Sequence, residues 1–178
     1  MKKNRPVPLF LTVASVPWSR ITGLEKRLQA AAALTLAVLP EALLPVARQA
    51  EANVLLTTDR AVQRLNRDFR GKDKPTNVLS FPQFEARDLM ALAKKRNFND
   101  KNPICVGDIA IAYGTVAKEA KAEGKTILDH ATHLTIHGLL HLFGYDHDTL
   151  VRANKMEKVE KEVMASLGLP DPYEPLAF

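Results

Sequence analysis

All five histidines of the 178-residue chain fall between positions 130 and 147, and this clustering constrains the fold more than any other feature. Residues 126–143 read as a helix. At about 100° per residue, His130, His133, His137 and His141 lie at about 0°, 300°, 340° and 20°, on one narrow face. A rise of about 1.5 Å per residue sets His133 and His141 about 12 Å apart along the axis, so only an i,i+4 pair can share an ion. Such a pair alone fits a solvated or hydrogen-bonded face as well as a metal site. Gly144 separates the cases, because it can take the left-handed conformation that ends a helix and turns the chain back. His147 then comes within reach. His137, His141 and His147 form a three-imidazole set with one coordination position free, as in catalytic rather than structural zinc. His130 and His133 read as partly buried groups or as groups that support the ligands, with His133 one turn below His137, where it could line the cleft.

The offsets 0, 4, 7 and 10, with glycine at 7, follow the metalloprotease pattern H-E-x-x-H-x-x-G-x-x-H. Gly138 stands where that pattern has glutamate, the general base of peptide hydrolysis. The cage is kept, and its reaction is expected to differ from that of a peptidase.

Ahead of the histidines, residues 8–15 (PLFLTVAS) read as a strand, and residues 20–39 place Ile21, Leu24, Leu28, Ala31, Thr35 and Leu39 at helical spacing up to Pro40. Residues 53–57 read as a short strand. Thr58 then caps a helix that buries Ala61, Val62, Leu65 and Phe69 and turns Arg60, Arg64 and Arg67 to solvent. Strands follow at 77–81 and 107–112, around a polar insert at 83–104 that reads as a long loop with a helical turn in LMALAKK. From Tyr113 the chain is mostly helical, at 114–123, 126–143 and 149–167, the last burying Met156, Val159, Val163 and Leu167. The expectation is one domain, residues 1–178, of the α+β class. In it a small mixed β-sheet is covered by helices, and a mostly helical C-terminal half carries the metal site. The strand order is not legible from the pattern.

Composition narrows the class. With 46% apolar and 25% charged residues the chain is of the globular type, and 25 basic against 20 acidic residues permit a polyanionic partner without requiring one. A single cysteine, Cys105, forms no intrachain disulfide, reads as a small buried hydrophobe and points to an intracellular, cytoplasmic setting. Lys2, Lys3 and Arg5 before the apolar stretch Pro8–Trp18 superficially resemble a secretory signal, which Pro6, Pro8 and Pro17 argue against. The longest apolar run, Ala30–Leu39, is half the length of about 20 residues needed to cross a bilayer, so no membrane span is expected. GKT at 124–126 matches the end of a phosphate-binding loop, but Glu119 stands where that loop needs glycine, so no nucleotide cofactor is expected.

The segment HGLLHLFGYDH at 137–147 closely resembles the H-G-x-L-H-L-x-G-Y-D-H signature of the YbeY endoribonucleases, the bacterial rRNA maturation factors. The resemblance extends to LNRDFRGKDKPTNVLSFP at 65–82, to GDIAI at 107–111 and to Met156 and Glu160. It implies an α+β fold and a metal-dependent, single-strand-specific endoribonuclease in 16S rRNA 3′-end maturation and ribosome quality control. It further implies one divalent ion, zinc by the usual assignment, on His137, His141 and His147, and a cleft arginine at Arg70. Partners would be rRNA, ribosomal particles and ribosomal or assembly-factor proteins. Asn77 stands where relatives often carry aspartate, which removes one acceptor.

Phosphodiester cleavage builds negative charge in the transition state, so a Lewis acid and a fixed cation belong together. From Asp59 to Lys74 there are six basic and three acidic residues. Read from the residues alone, Arg70 is a cation at a helix C-terminus; under the resemblance it grips phosphate oxygens in pairs, with Lys72 and Lys74 as weaker phosphate contacts. Asp146 reads equally as a group orienting a ligand or capping local backbone. Asp108 could face the cleft but reads by default as a structural acid at a strand start, Met156 as core, and Glu160 as a solvated or ion-paired face. The competing reading from another class is a ribosome-assembly binding factor whose metal is structural.

Overall fold

Alternate residues of β2, Ala50–Thr57, turn inward, burying Ala50, Ala52, Val54 and Leu56. That period of two belongs to a strand, and here the strand is interior. In the computed structural model, which describes residues 9–95 and 102–174, β2 is flanked by β1 (Leu9–Val13) and β4 (Ile104–Ala112), both parallel to it. The edge strand β3 (Val78–Pro82) runs antiparallel to β4, giving the order β1-β2-β4-β3, a mixed sheet. Residues Ile109–Ala112 of β4 are buried in an unbroken run, as expected of a strand covered on both faces.

On one face lies α4 (Asp59–Arg70), whose Val62 packs with Leu79, Ala110 and Ala112. The opposite face carries α2 (Leu24–Ala37), α7 (Ile127–Leu142) and α8 (Leu150–Ser166), joining Leu28, Ile136, Leu139 and Met156 to Val54, Ile109 and Ile111 in the main core. Helix α7 is apolar on most sides because it packs against β3, β4, α2, α6 (Tyr113–Ala122) and α8. Short helices at Val16–Ser19 (α1) and Leu44–Ala47 (α3) complete the links. Among the described residues no single helix is long and apolar enough to cross a membrane.

Several expectations change. Helix α2 starts only after Gly23, so Ile21 precedes it, half-buried. The insert at 83–104 is not a loop with one turn: Ala86–Lys95 form a helix, α5, that buries Leu89 and Ala93 against α3. That i,i+4 apolar pair was outweighed by the surrounding charges. Phe69 is 70% exposed rather than buried: the last turn of α4 lies at edge strand β3, where the Phe69 ring meets that of Phe81 with centroids 5.5 Å apart. Asn66 takes the inward place, its amide donating to the Lys74 carbonyl at 2.8 Å. Cys105 is exposed, since the register shift opposite Glu51/Ala52 turns Val106 inward instead. Residues 96–101 of the insert, together with Lys2, Lys3, Arg5, Pro6 and Pro8, lie outside the described residues.

Candidate metal centre

Helix α7 begins at Thr126, whose hydroxyl accepts the N–H of Asp129, so GKT at 124–126 serves as a helix start. The helix ends at Gly144, with φ +81°, where the N–H groups of Gly144 and Tyr145 donate back to the carbonyls of His141 and Leu140, each at 3.0 Å. Glycine is required there twice over, by the backbone angle and because a Cβ would stand 2.6 Å from that of Ala86. This turn brings His147 back over the last helical turn.

His137, His141 and His147 each present a ligand atom, all within 4.8 Å of one another. The Nε2 atoms of His137 and His141 are 3.1 Å apart, close to the roughly 3.4 Å that two nitrogens on one tetrahedral zinc span. The ring of His147 lies 5.5 Å from that of His137 and 5.1 Å from that of His141, between centroids. The predicted set therefore converges, and it can hold a metal ion.

Two hydrogen bonds decide how the rings present themselves. His141 Nδ1 donates to the Tyr145 carbonyl at 2.9 Å, and His137 Nδ1 donates to Glu160 Oε1 at 2.7 Å. Both partners only accept, so each Nδ1 carries the proton and each Nε2 keeps its lone pair for a cation. Burial, reinforced by neighbouring His137 and His147, pushes His141 down to about 4, which keeps it in the neutral, ligating form at pH 7. The donor set suits zinc chemistry.

Glu160 departs furthest from the solvated face expected of it. It is fully buried, not solvated, and accepts from His137, from His133 Nε2 at 3.3 Å and from the Tyr173 hydroxyl. Burial alone would raise its pKa, but the bonds from His133 and His137 outweigh that and hold it lowered to about 2. A signal was present: Glu160 falls on the same stripe of α8 as buried Met156 and Val163, at offsets four and three. A carboxylate on an apolar stripe needs a buried partner.

Of the two remaining histidines only His133 backs a metal-site ring. His133 joins the Glu160 network, while buried His130 meets Glu119 Oε2 at 2.7 Å. Glu119 also accepts from Asn77 Nδ2 at 2.9 Å, so an aspartate at 77 would oppose like charge and the amide suits this chain. Asp146 acts locally, its Oδ1 accepting the His147 N–H at 2.8 Å, which lowers its pKa. Asp108 is exposed and accepts from Asn53 at 2.7 Å, a structural bond.

Arg70 ends α4, with Nη2 donating to the Ser80 carbonyl on edge strand β3 at 3.2 Å. Ser80 pairs with Ile109, and Ile109 lies against Gly138, next to His137. Lys72 and Lys74 are exposed in the loop that follows. At Gly138 a Cβ would stand 2.9 Å from Ile109 Cδ1. Any side chain at the peptidase position would thus press on Ile109 of β4.

A family described as "Endoribonuclease YbeY" matches the chain over residues 20–168. The chain is 46% identical to an endoribonuclease YbeY of Sphingopyxis alaskensis over 163 residues, 91% of this chain and 95% of that protein. It is 51% identical to one of Rhodopseudomonas palustris over 124 residues, 70% of this chain and 69% of that protein. Among solved structures, the solution structure of TM1509 from Thermotoga maritima aligns with a TM-score of 0.50 at 23% identity, covering 94% of this chain and 99% of that one. That similarity speaks for the fold.

Proposed function

The chain belongs to the YbeY endoribonuclease family, and from that premise we propose that it is a metal-dependent endoribonuclease specific for single strands. In this reading it is one cytoplasmic domain acting in 16S rRNA 3′-end maturation and ribosome quality control, on rRNA within ribosomal particles and alongside ribosomal or assembly-factor proteins. The observation that carries the reading is the convergence of three imidazoles whose inner members have their Nδ1 protons already committed. One divalent ion bound there, zinc in this reading, supplies Lewis acidity toward water and phosphate oxygens.

The chain's own groups do the rest. Glu160 and the Tyr145 carbonyl hold two of the rings. Arg70, fixed to the sheet edge through Ser80, is the cation that grips a phosphate oxygen pair, assisted by Lys72 and Lys74. Exposed Phe69, the residue before Arg70, offers a ring face for an unpaired base. Gly138, set against Ile109, supplies no peptidase base.

The test compares purified wild type with His141→Ala after circular dichroism has established folding. Elemental analysis should find about one zinc per wild-type chain and none in the variant, and only the wild type should cleave single-stranded rRNA. A 2′,3′-cyclic phosphate among the products would identify the RNA 2′-hydroxyl as nucleophile, whereas a 5′-phosphate, with DNA also cut, would identify water. Ribosome-particle binding by a wild type that never cleaves RNA would replace this reading with that of an assembly factor.

A further inference from the structure

Beyond α8 the chain turns back and is tied down at three successive residues. Asp171 pairs with Lys161 at 3.0 Å, the Pro172 carbonyl accepts from Lys125 Nζ, and the Tyr173 hydroxyl donates to Glu160 Oε2. The Tyr173 ring also meets that of His133 edge-on at 5.4 Å. The match to the family ends at residue 168, before this segment.

Glu160 has no exposed surface, and its two oxygens have separate duties. Oε1 accepts from His137, the metal-site imidazole; Oε2 takes His133 and Tyr173. Rotation of a carboxylate about its last torsion is soft, so what holds Oε1 toward His137 is whatever restrains Oε2. The His133 contact is long, at 3.3 Å, which leaves the phenol as the main restraint. Resting on the metal-centre reading above, we propose that Tyr173 is a positioning residue. By fixing the Glu160 carboxylate it fixes the His137 ring, so that the C-terminal segment preorganises the site for a divalent cation. Carboxylates behind metal-bound histidines commonly tune affinity by about 10–100-fold, and a group holding such a carboxylate should contribute a fraction of that.

The test measures zinc binding to the full chain by competition with a chromophoric chelator, for wild type, Tyr173→Phe and Glu160→Gln. NMR of the metal-free proteins follows the His137 Nδ1 resonance. Tyr173→Phe keeps the ring against His133 and removes only the hydroxyl, at a residue 42% exposed. Zinc should bind about three- to tenfold more weakly to Tyr173→Phe and about 10–100-fold more weakly to Glu160→Gln, with the His137 resonance shifted in both. Wild-type affinity in Tyr173→Phe, or weakened binding with the His137 resonance unmoved, overturns the role of Tyr173 while leaving the metal centre standing. A wild type that binds no zinc overturns both.

Discussion

The carboxylate of Glu160 sits 2.7 Å from Nδ1 of His137 with none of its own surface exposed. A buried acid of this kind is tolerated only where donors replace the water it has lost, and here three side chains do so. The geometry ties α8 to α7 and aims a metal-site ring in one interaction.

Removing that acid should therefore act on stability and on metal affinity together. Glu160→Ala leaves His133, His137 and Tyr173 without their acceptor and should cost about 1–3 kcal/mol, read from urea denaturation of the metal-free protein. Zinc affinity should fall about 10–100-fold. Unchanged affinity beside lowered stability would assign Glu160 to the core alone.

The close approach of α7 to β4 makes a second variant informative. Gly138→Ala places a Cβ 2.9 Å from Ile109 Cδ1, so the helix or the Ile109 side chain must shift, at a cost of about 1–3 kcal/mol. Combining it with Ile109→Ala should recover part of that loss, which thermal melts of the single and double variants would read. Additive destabilisation would mean that the contact is not what reserves position 138 for glycine.

Much of this site was legible in the sequence because it is local. The wheel positions of His137 and His141 follow from helical period, and Gly144 announces the turn that returns His147. What escaped depends on which elements meet. Glu160 acquires its meaning only where α8 meets α7, and Phe69 stays exposed because the last turn of α4 lies at the edge strand, against Phe81. Helix α5 was masked by Arg87, Asp88, Lys94 and Lys95 around its two buried residues. The sheet order rests on long-range pairing, which no local pattern reports.

Acidification should destabilise the metal-free protein in two successive windows. His141 titrates at about 4 in the folded chain against 6.5 ordinarily, so below pH 6.5 the unfolded chain binds a proton that the folded chain refuses. Its stabilising effect is thus complete above 6.5 and is lost as pH falls toward 4. Glu160 titrates at about 2 against 4.5, so its contribution is complete above 4.5 and is lost as pH falls toward 2. Chelator-treated protein should therefore lose stability in urea melts between pH 7 and pH 4.5. In His141→Ala the decline between 6.5 and 4.5 should be shallower; an equal slope in both proteins would place the titration elsewhere.

The phosphate grip proposed for Arg70 is separable by substitution from metal binding. Its guanidinium donates to Ser80 from an exposed helix end, so replacing it should cost the fold little, about 0.5–1 kcal/mol. Its proposed task needs a planar fork that meets two phosphate oxygens, which a lysine ammonium cannot reproduce. Arg70→Lys should accordingly bind zinc as tightly as wild type and melt within a few degrees of it, yet cleave single-stranded RNA at least about tenfold more slowly. Because lysine keeps the positive charge, a loss in Arg70→Lys comparable to that in Arg70→Ala points to paired hydrogen bonds rather than to charge alone. Full activity in Arg70→Lys would reduce the residue to a point charge, and full activity in Arg70→Ala would return it to the role of a cation closing the end of α4.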